Sequence, residues 1–148
     1  MNAVIQLKLL NKVEELCKQR NVRITPQRLE VLRLIIAQKT NAISAYDLLK
    51  LLRKSEPQAK PPTIYRVLDF LIEQGLVHKV ESTNSFMLCK YFYDPSHTYA
   101  VFICDKCGQV TEKSADNIKN ILQNMAKQAC FAMSHNVVEA HGFCPQCN

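Results

Sequence analysis

Apolar residues recur every three to four positions through the first half of the chain and switch to alternation after Gly75, so the period changes near the middle of the chain. Over residues 3–20, Val4, Leu7, Leu10, Val13, Leu16 and Cys17 share one helical face, which predicts an amphipathic helix with Cys17 as a small buried apolar group. Thr25-Pro26 predicts a second helix start. The hydroxyl serves as N-cap, and proline takes the first helical position, where its missing N–H costs nothing. Leu29, Val31, Leu32, Ile35 and Ile36 give this helix its apolar face. Ser44 caps a third helix, with Asp47 three residues on, Tyr46 in the first turn, and Leu48, Leu49, Leu51 and Leu52 on the core side.

A polar connection over residues 55–60 leads to Pro61-Pro62, which can begin a helix but not interrupt one. Ile64, Val67, Leu68, Leu71 and Ile72 then form a full core stripe that ends at Gly75, a C-cap residue. Thr63, Tyr65 and Arg66 fall off the stripe and project from the helix start, where the helix dipole also favours phosphate. Residues 76–80 and 86–89 alternate around the turn-like Ser82-Thr83-Asn84-Ser85 and predict a β-hairpin. Three helices followed by a hairpin, with an extra N-terminal helix, describe a winged helix-turn-helix whose last helix enters the major groove of DNA.

The second half reads as strand, strand, helix, strand. Residues 99–103 and 109–112 flank a Cys104-Asp-Lys-Cys107-Gly knuckle. Ser114 is the expected cap of a helix striped by Ile118, Ile121, Leu122, Met125 and Ala129, and a last strand lies near residues 137–140. The predicted class is α+β: a winged-helix DNA-binding domain over 1–90, a hinge at about 90–98, and a small α/β domain with a four-cysteine zinc site over 99–148. Cys130 at the helix end is expected to pack.

Charge sharpens this division. Residues 1–90 carry 15 Lys and Arg against 8 Asp and Glu, a net of +7, while residues 91–148 carry 4 against 5, a net of −1. A basic module joined to a neutral one predicts a polyanion partner for the first half alone. Apolar residues make up 47% of the chain without any run near the roughly 20 that a membrane helix needs, and the first 20 residues lack the apolar block of a secretion signal. The expectation is a cytoplasmic protein without a membrane partner. Seven cysteines in that compartment predict thiols or metal ligands and not disulfides.

Two C-x-x-C pairs, Cys104/Cys107 and Cys144/Cys147, stand 36 residues apart and suit a tetrahedral zinc site in which each tight turn presents two thiolates. A redox dithiol is the competing reading. Four thiolates close the coordination shell, so this zinc is structural; His141 belongs only to an alternative shell, and His135 has no role in view. His78, Cys89, His97 and Glu112 form a second donor set without a compact motif. For DNA, Arg66 is the expected groove reader, since guanidinium matches the acceptors of guanine. Lys60 and Arg28 are expected to contact phosphate. No nucleophile motif or spare general base accompanies either donor set, which argues against an enzyme and against a small-molecule substrate.

Thr25-Pro-Gln-Arg-Leu-Glu-Val-Leu, Ala42-Ile-Ser-Ala-Tyr-Asp-Leu-Leu, Lys60-Pro-Pro-Thr-Ile-Tyr-Arg-Val-Leu, His78-Lys-Val-Glu-Ser, Phe102-Ile-Cys-Asp-Lys-Cys-Gly and Glu139-Ala-His-Gly-Phe-Cys together resemble the ferric uptake regulator family of bacterial metal-sensing repressors, most closely its zinc uptake regulator branch. The resemblance spans nearly the whole chain. It implies a homodimeric repressor of zinc-uptake genes that binds operator double-stranded DNA. It also implies two Zn2+ per chain, one structural on Cys104, Cys107, Cys144 and Cys147, and one regulatory in the hinge on His78, Cys89, His97 and Glu112. Tyr46 and Tyr65 match DNA-contacting positions of the family. The same fold with another input, redox or a different metal, is the alternative.

Overall fold

The computed structural model describes residues 3–91 and 98–148, so His97 and most of the expected hinge lie outside the described residues. The chain divides into two units, Met1–Pro95 and Ser96–Asn148.

In the first unit, local signals place the helices where the sequence predicts them. Helix α1 (Ala3–Gln19) buries Val13 and Cys17, but its first two turns stand uncovered, with Val4 and Leu7 exposed. The expected apolar face is therefore used only in its second half. Thr25 Oγ1 accepts the Arg28 N–H at 3.3 Å and starts α2 (Pro26–Ile36), which buries Val31, Leu32, Leu34, Ile35 and Ile36. Ser44 Oγ accepts the Asp47 N–H at 3.1 Å and starts α3 (Ala45–Leu52). Arg53 Nε donates to the Ala59 carbonyl at 2.9 Å, and Gln27 Nε2 donates to Glu56 at 2.7 Å, which secures the connection ahead of α4 (Pro61–Glu73).

Helix α4 buries Ile64, Val67, Leu68 and Leu71, while Ile72 at the edge of the expected stripe is exposed. Gly75 ends it at φ 70°, a left-handed conformation that glycine adopts without a Cβ penalty, and the Leu76 N–H returns to the Leu71 carbonyl at 2.9 Å. These helices and the hairpin share one core that includes Leu76, Val77, Phe86 and Cys89.

The hairpin belongs to a larger sheet than predicted. Ile43 and Ser44 form a two-residue strand, β1 (Ile43–Ser44), antiparallel to one hairpin strand with Ile43 opposite Phe86. The hairpin itself is β2 (Val77–Val80) and β3 (Ser85–Leu88), joined by a 3-10 turn and by Asn84 at φ 47°, giving the order β1-β3-β2. Two residues are too few to show a period in sequence. The pairing appears only once β3 is in place.

The second unit is a three-stranded sheet with one helix. Strands β4 (Tyr99–Cys104) and β5 (Val110–Ser114) pair antiparallel, and β6 (Glu139–Gly142) runs parallel to β4, for the order β5-β4-β6. The expected Ser114 cap is corrected here: Ser114 is the last residue of β5, paired with Tyr99, and Ala115 precedes α5 (Asp116–Gln128) without a side-chain cap. Ladder pairing carries the chain two residues beyond the predicted strand end. None of the α5 residues is fully buried: along the predicted stripe Ile118 and Leu122 are half-buried, while Ile121 and Met125 are exposed. Cys130, expected to pack, is instead exposed, at φ 52° just beyond the helix.

Leu71 is fully buried on α4, so Leu71→Ala should cost about 2–5 kcal/mol of stability. Ser44→Ala, which removes only a cap, should cost about 1 kcal/mol. Urea unfolding followed by circular dichroism checks both, and the order of the two effects tests the burial assignment.

Candidate metal centre and nucleic-acid interface

The two Cys pairs, far apart in sequence, meet in the second unit. Cys104 closes β4, and the chain then turns tightly: the Gly108 N–H reaches the Cys104 carbonyl at 2.9 Å, with Gly108 at φ 78°. Beside it, the parallel strand β6 delivers the chain to the second turn, where the Cys147 N–H bonds the Cys144 carbonyl at 2.9 Å. The Asp105 N–H donates to the Gly142 carbonyl at 2.8 Å and joins the two turns. His141 Nδ1 lies 3.2 Å from Asp105 Oδ1, a side-chain link that the sequence reading left without a role.

As a result, the sulfurs of Cys104, Cys107, Cys144 and Cys147 all lie within 4.8 Å of one another, and those of Cys107 and Cys144 are 3.7 Å apart. Four thiolates around zinc at about 2.3 Å in a tetrahedron stand about 3.8 Å from each other, so the sulfurs already lie close to the spacing that ion requires. The electrostatics agree. The backbone N–H groups of Cys107 and Cys144 pull the Cys104 thiol down to about 6, the latter donating to its sulfur at 3.3 Å. Cys147 is pushed up to about 12, first by its hydrogen bond with Cys144 and then by desolvation. Cys107 is also raised: the Gln109 N–H favours its thiolate, but Cys104, desolvation and Cys144 outweigh it. One negative charge suppresses the others, and a cation among the sulfurs removes that conflict.

The second donor set is described by unit. In the first, His78 on β2 faces Met87, and the Cys89 N–H bonds the Leu76 carbonyl at 2.9 Å. His78 and Cys89 are therefore diagonal neighbours on one face of the hairpin, and a ring nitrogen and the sulfur come within 4.8 Å. Both are buried, and the Cys89 sulfur accepts the Tyr91 N–H at 3.3 Å. In the second unit, Glu112 sits on β5 opposite Val101 and is 3% exposed, which is unusual for a carboxylate.

The expected DNA-facing residues lie on α3 and α4. Tyr65 is 50% exposed and Arg66 is exposed, while Ile64 and Val67 beside them are buried, so the first turn of α4 splits cleanly into a core side and a solvent side. Thr63 is half-buried, and Lys60 is exposed at the N-cap without a side-chain cap. Pro61 and Pro62 lack N–H groups, and the Thr63 N–H is taken by the Lys60 carbonyl at 2.9 Å. The start of α4 therefore offers few bare donors to an anion, and its side chains carry whatever recognition it performs.

Tyr46, at the start of α3, is 70% exposed. Arg28 is committed inside the unit: its guanidinium stacks 3.8 Å from the Phe70 ring centroid and donates to the Arg23 carbonyl at 2.7 Å, a role the sequence reading did not foresee. Lys50 was also missed there. Its Nζ stands 5.0 Å from the Tyr46 ring centroid, and the four-residue offset on one helix was the available signal.

Residues 19–141 match the ferric uptake regulator family. The zinc uptake regulation protein of Escherichia coli (strain K12) is 62% identical over 139 residues, a match covering 94% of this chain and 81% of that protein. The peroxide operon regulator of Bacillus subtilis (strain 168) is 28% identical over 142 residues, covering 94% and 93%. Among solved structures, a zinc uptake regulator complexed with zinc and DNA matches at a TM-score of 0.91 and 60% identity, over 95% of this chain and 93% of that one.

Because Cys147 and Cys107 hold their protons above neutral pH while Cys104 has already lost its own, filling the sulfur cluster with zinc must release protons. The apparent zinc affinity of the cluster should rise as pH increases from 6 to 8, which chelator competition at fixed ionic strength measures. An affinity independent of pH would contradict the coupled titration.

Proposed function

Because the chain belongs to the ferric uptake regulator family, we propose that it is a zinc-responsive, DNA-binding transcriptional repressor of zinc-uptake genes, acting in the cytoplasm as a homodimer on operator double-stranded DNA. The observation that carries this reading is the 62% identity to a zinc uptake regulation protein along almost the whole chain, against 28% to the peroxide regulator. No described helix is long and apolar enough to cross a membrane.

In this reading residues 1–90 bind DNA, residues 90–98 form a hinge, and residues 99–148 hold a structural zinc and the dimer contact. Arg66 reads base edges, Tyr65 and Tyr46 touch thymine methyls or phosphates, and Lys60 and Thr63 fix the register on the backbone. Arg28, already bound to Phe70 and Arg23, orients α2 against α4 and has only its remaining N–H groups for a phosphate.

The structural zinc is assigned to Cys104, Cys107, Cys144 and Cys147, and a regulatory zinc to His78, Cys89, His97 and Glu112. When bound, each ion supplies a cation that holds its donors together, and a full protein shell leaves no open position for substrate, in keeping with a regulator and not an enzyme. Support for the second set lies in its chemistry. A buried thiol and imidazole side by side on the hairpin, together with a buried carboxylate, form a donor set that suits zinc. Because the donors come from both units, zinc and operator binding become linked, and each tightens the other by the same factor.

The test is binding of a duplex selected from a random-sequence pool, at fixed ionic strength, with free zinc buffered over a wide range. Wild type should bind above a threshold of free zinc, and Cys89→Ser should need at least tenfold more, the loss expected when a metal site is weakened. Binding that ignores zinc but is released by oxidant would replace this reading with the redox alternative.

For the dimer, the support is α5, whose Ile121 and Met125 are 58% and 60% exposed on an otherwise amphipathic helix. Ile121→Asp should shift the protein toward monomer in sedimentation velocity, whereas an unchanged sedimentation coefficient would remove α5 from the interface.

A further inference from the structure

Tyr46 is the most exposed aromatic on the proposed DNA face, and no packing explains how its ring is held. Helix α3 buries Ala45, Leu48, Leu49 and Leu52, which leaves Tyr46 and Lys50 together on its outer side. A helical tyrosine has two common χ1 settings, and they point its hydroxyl in different directions. An aromatic that is 70% exposed is free to choose between them unless a neighbour decides.

Lys50 is placed to decide. Side chains on a helix lean toward its N-terminus, so the residue four positions on reaches back over the earlier one. The Lys50 ammonium does so, standing 5.0 Å from the Tyr46 ring centroid. It makes no ion pair among the described residues, although Asp47 is only three positions away, so the ring is its partner. Arg53, the C-cap cation of this helix, is engaged elsewhere, since it donates to the Ala59 carbonyl. Tyr65 has no such holder, because Asp69 occupies the corresponding offset on α4.

We propose that Lys50 is a positioning residue of the DNA-binding face: stacked over Tyr46, it holds that ring in the orientation it presents to DNA. The inference rests on the regulator reading and adds to it how one recognition side chain is prepared before contact. A ring fixed in advance loses less rotamer freedom on binding. Arginine preserves the effect because its guanidinium also stacks on aromatic faces, whereas an uncharged side chain of similar length loses it.

The experiment is a double-mutant cycle with zinc-loaded full-length protein on a duplex that wild type selects from a random-sequence pool. Lys50→Gln should weaken binding roughly two- to fivefold, the factor corresponding to an exposed cation–π contact. Lys50→Arg should restore it. In a Tyr46→Leu background, Lys50→Gln should have no further effect, since its only action was through the ring. An equal loss in both backgrounds, together with a salt dependence shallower by about one unit in log–log slope, would show an independent phosphate contact and overturn the proposal. So would full binding by Lys50→Gln, or failure of Lys50→Arg to restore it. If wild type itself selects no duplex under zinc, the regulator reading falls first and this inference falls with it.

Discussion

Four sulfurs held within 4.8 Å cannot all carry negative charge unless a cation stands among them, and the second unit is organised around that conflict. Its apolar interior is thin. Ala100, Val101, Ile103, Val110 and Ala115 are buried, and α5 adds no fully buried residue to them. A unit this short buries too small a share of its surface to be held by apolar contacts alone, and a covalent or coordinate link is the usual remedy. Here the link would run between the knuckle after β4 and the turn after β6. The backbone bond from Asp105 to Gly142 and the His141–Asp105 contact already hold those two turns side by side.

The first unit solves a different problem, with a large apolar core under a basic surface. Its helices start on hydroxyl caps and prolines, and the residues between the caps divide by period into buried and exposed sides. On α4 this division also separates the core from the surface that the proposed function assigns to DNA. The same turn that commits Ile64 and Val67 to the core leaves Tyr65 and Arg66 facing out, and they stand on a backbone that packing holds still. Because Pro61 and Pro62 remove N–H groups from the helix start, the proposed recognition would rest on these side chains more than on the helix end itself.

Two kinds of cation stand out in this unit. Arg28 and Arg53 spend guanidinium N–H groups on backbone carbonyls, and Arg28 also stacks on Phe70, so both hold helices and connections in place. Arg66 and Lys60 remain exposed at the start of α4. Net charge alone does not separate the two kinds. A positive total of +7 over residues 1–90 attracts a polyanion in either case, but in the proposed reading only Arg66 reports its sequence, since a contact from Lys60 to phosphate carries none.

Sequence alone determined whatever depends on neighbours within about one helical turn. The Thr25 and Ser44 caps, the Pro61 start, the Gly75 stop, the stripe of α4 and the C-x-x-C turns are all short-range, because capping, φ restriction and helical period act over three or four residues. The resemblance to a known family added the roles of residues that show no pattern of their own. Tertiary structure decided the long-range pairings. It matched Ile43 with Phe86, extended β5 through Ser114 by pairing it with Tyr99, drew Arg28 onto Phe70, left Cys130, Ile121 and Met125 exposed, and brought Cys104 and Cys107 against Cys144 and Cys147. None of these follows from local propensity, since each depends on which distant segment arrives alongside, and that is settled by the packing of the whole unit.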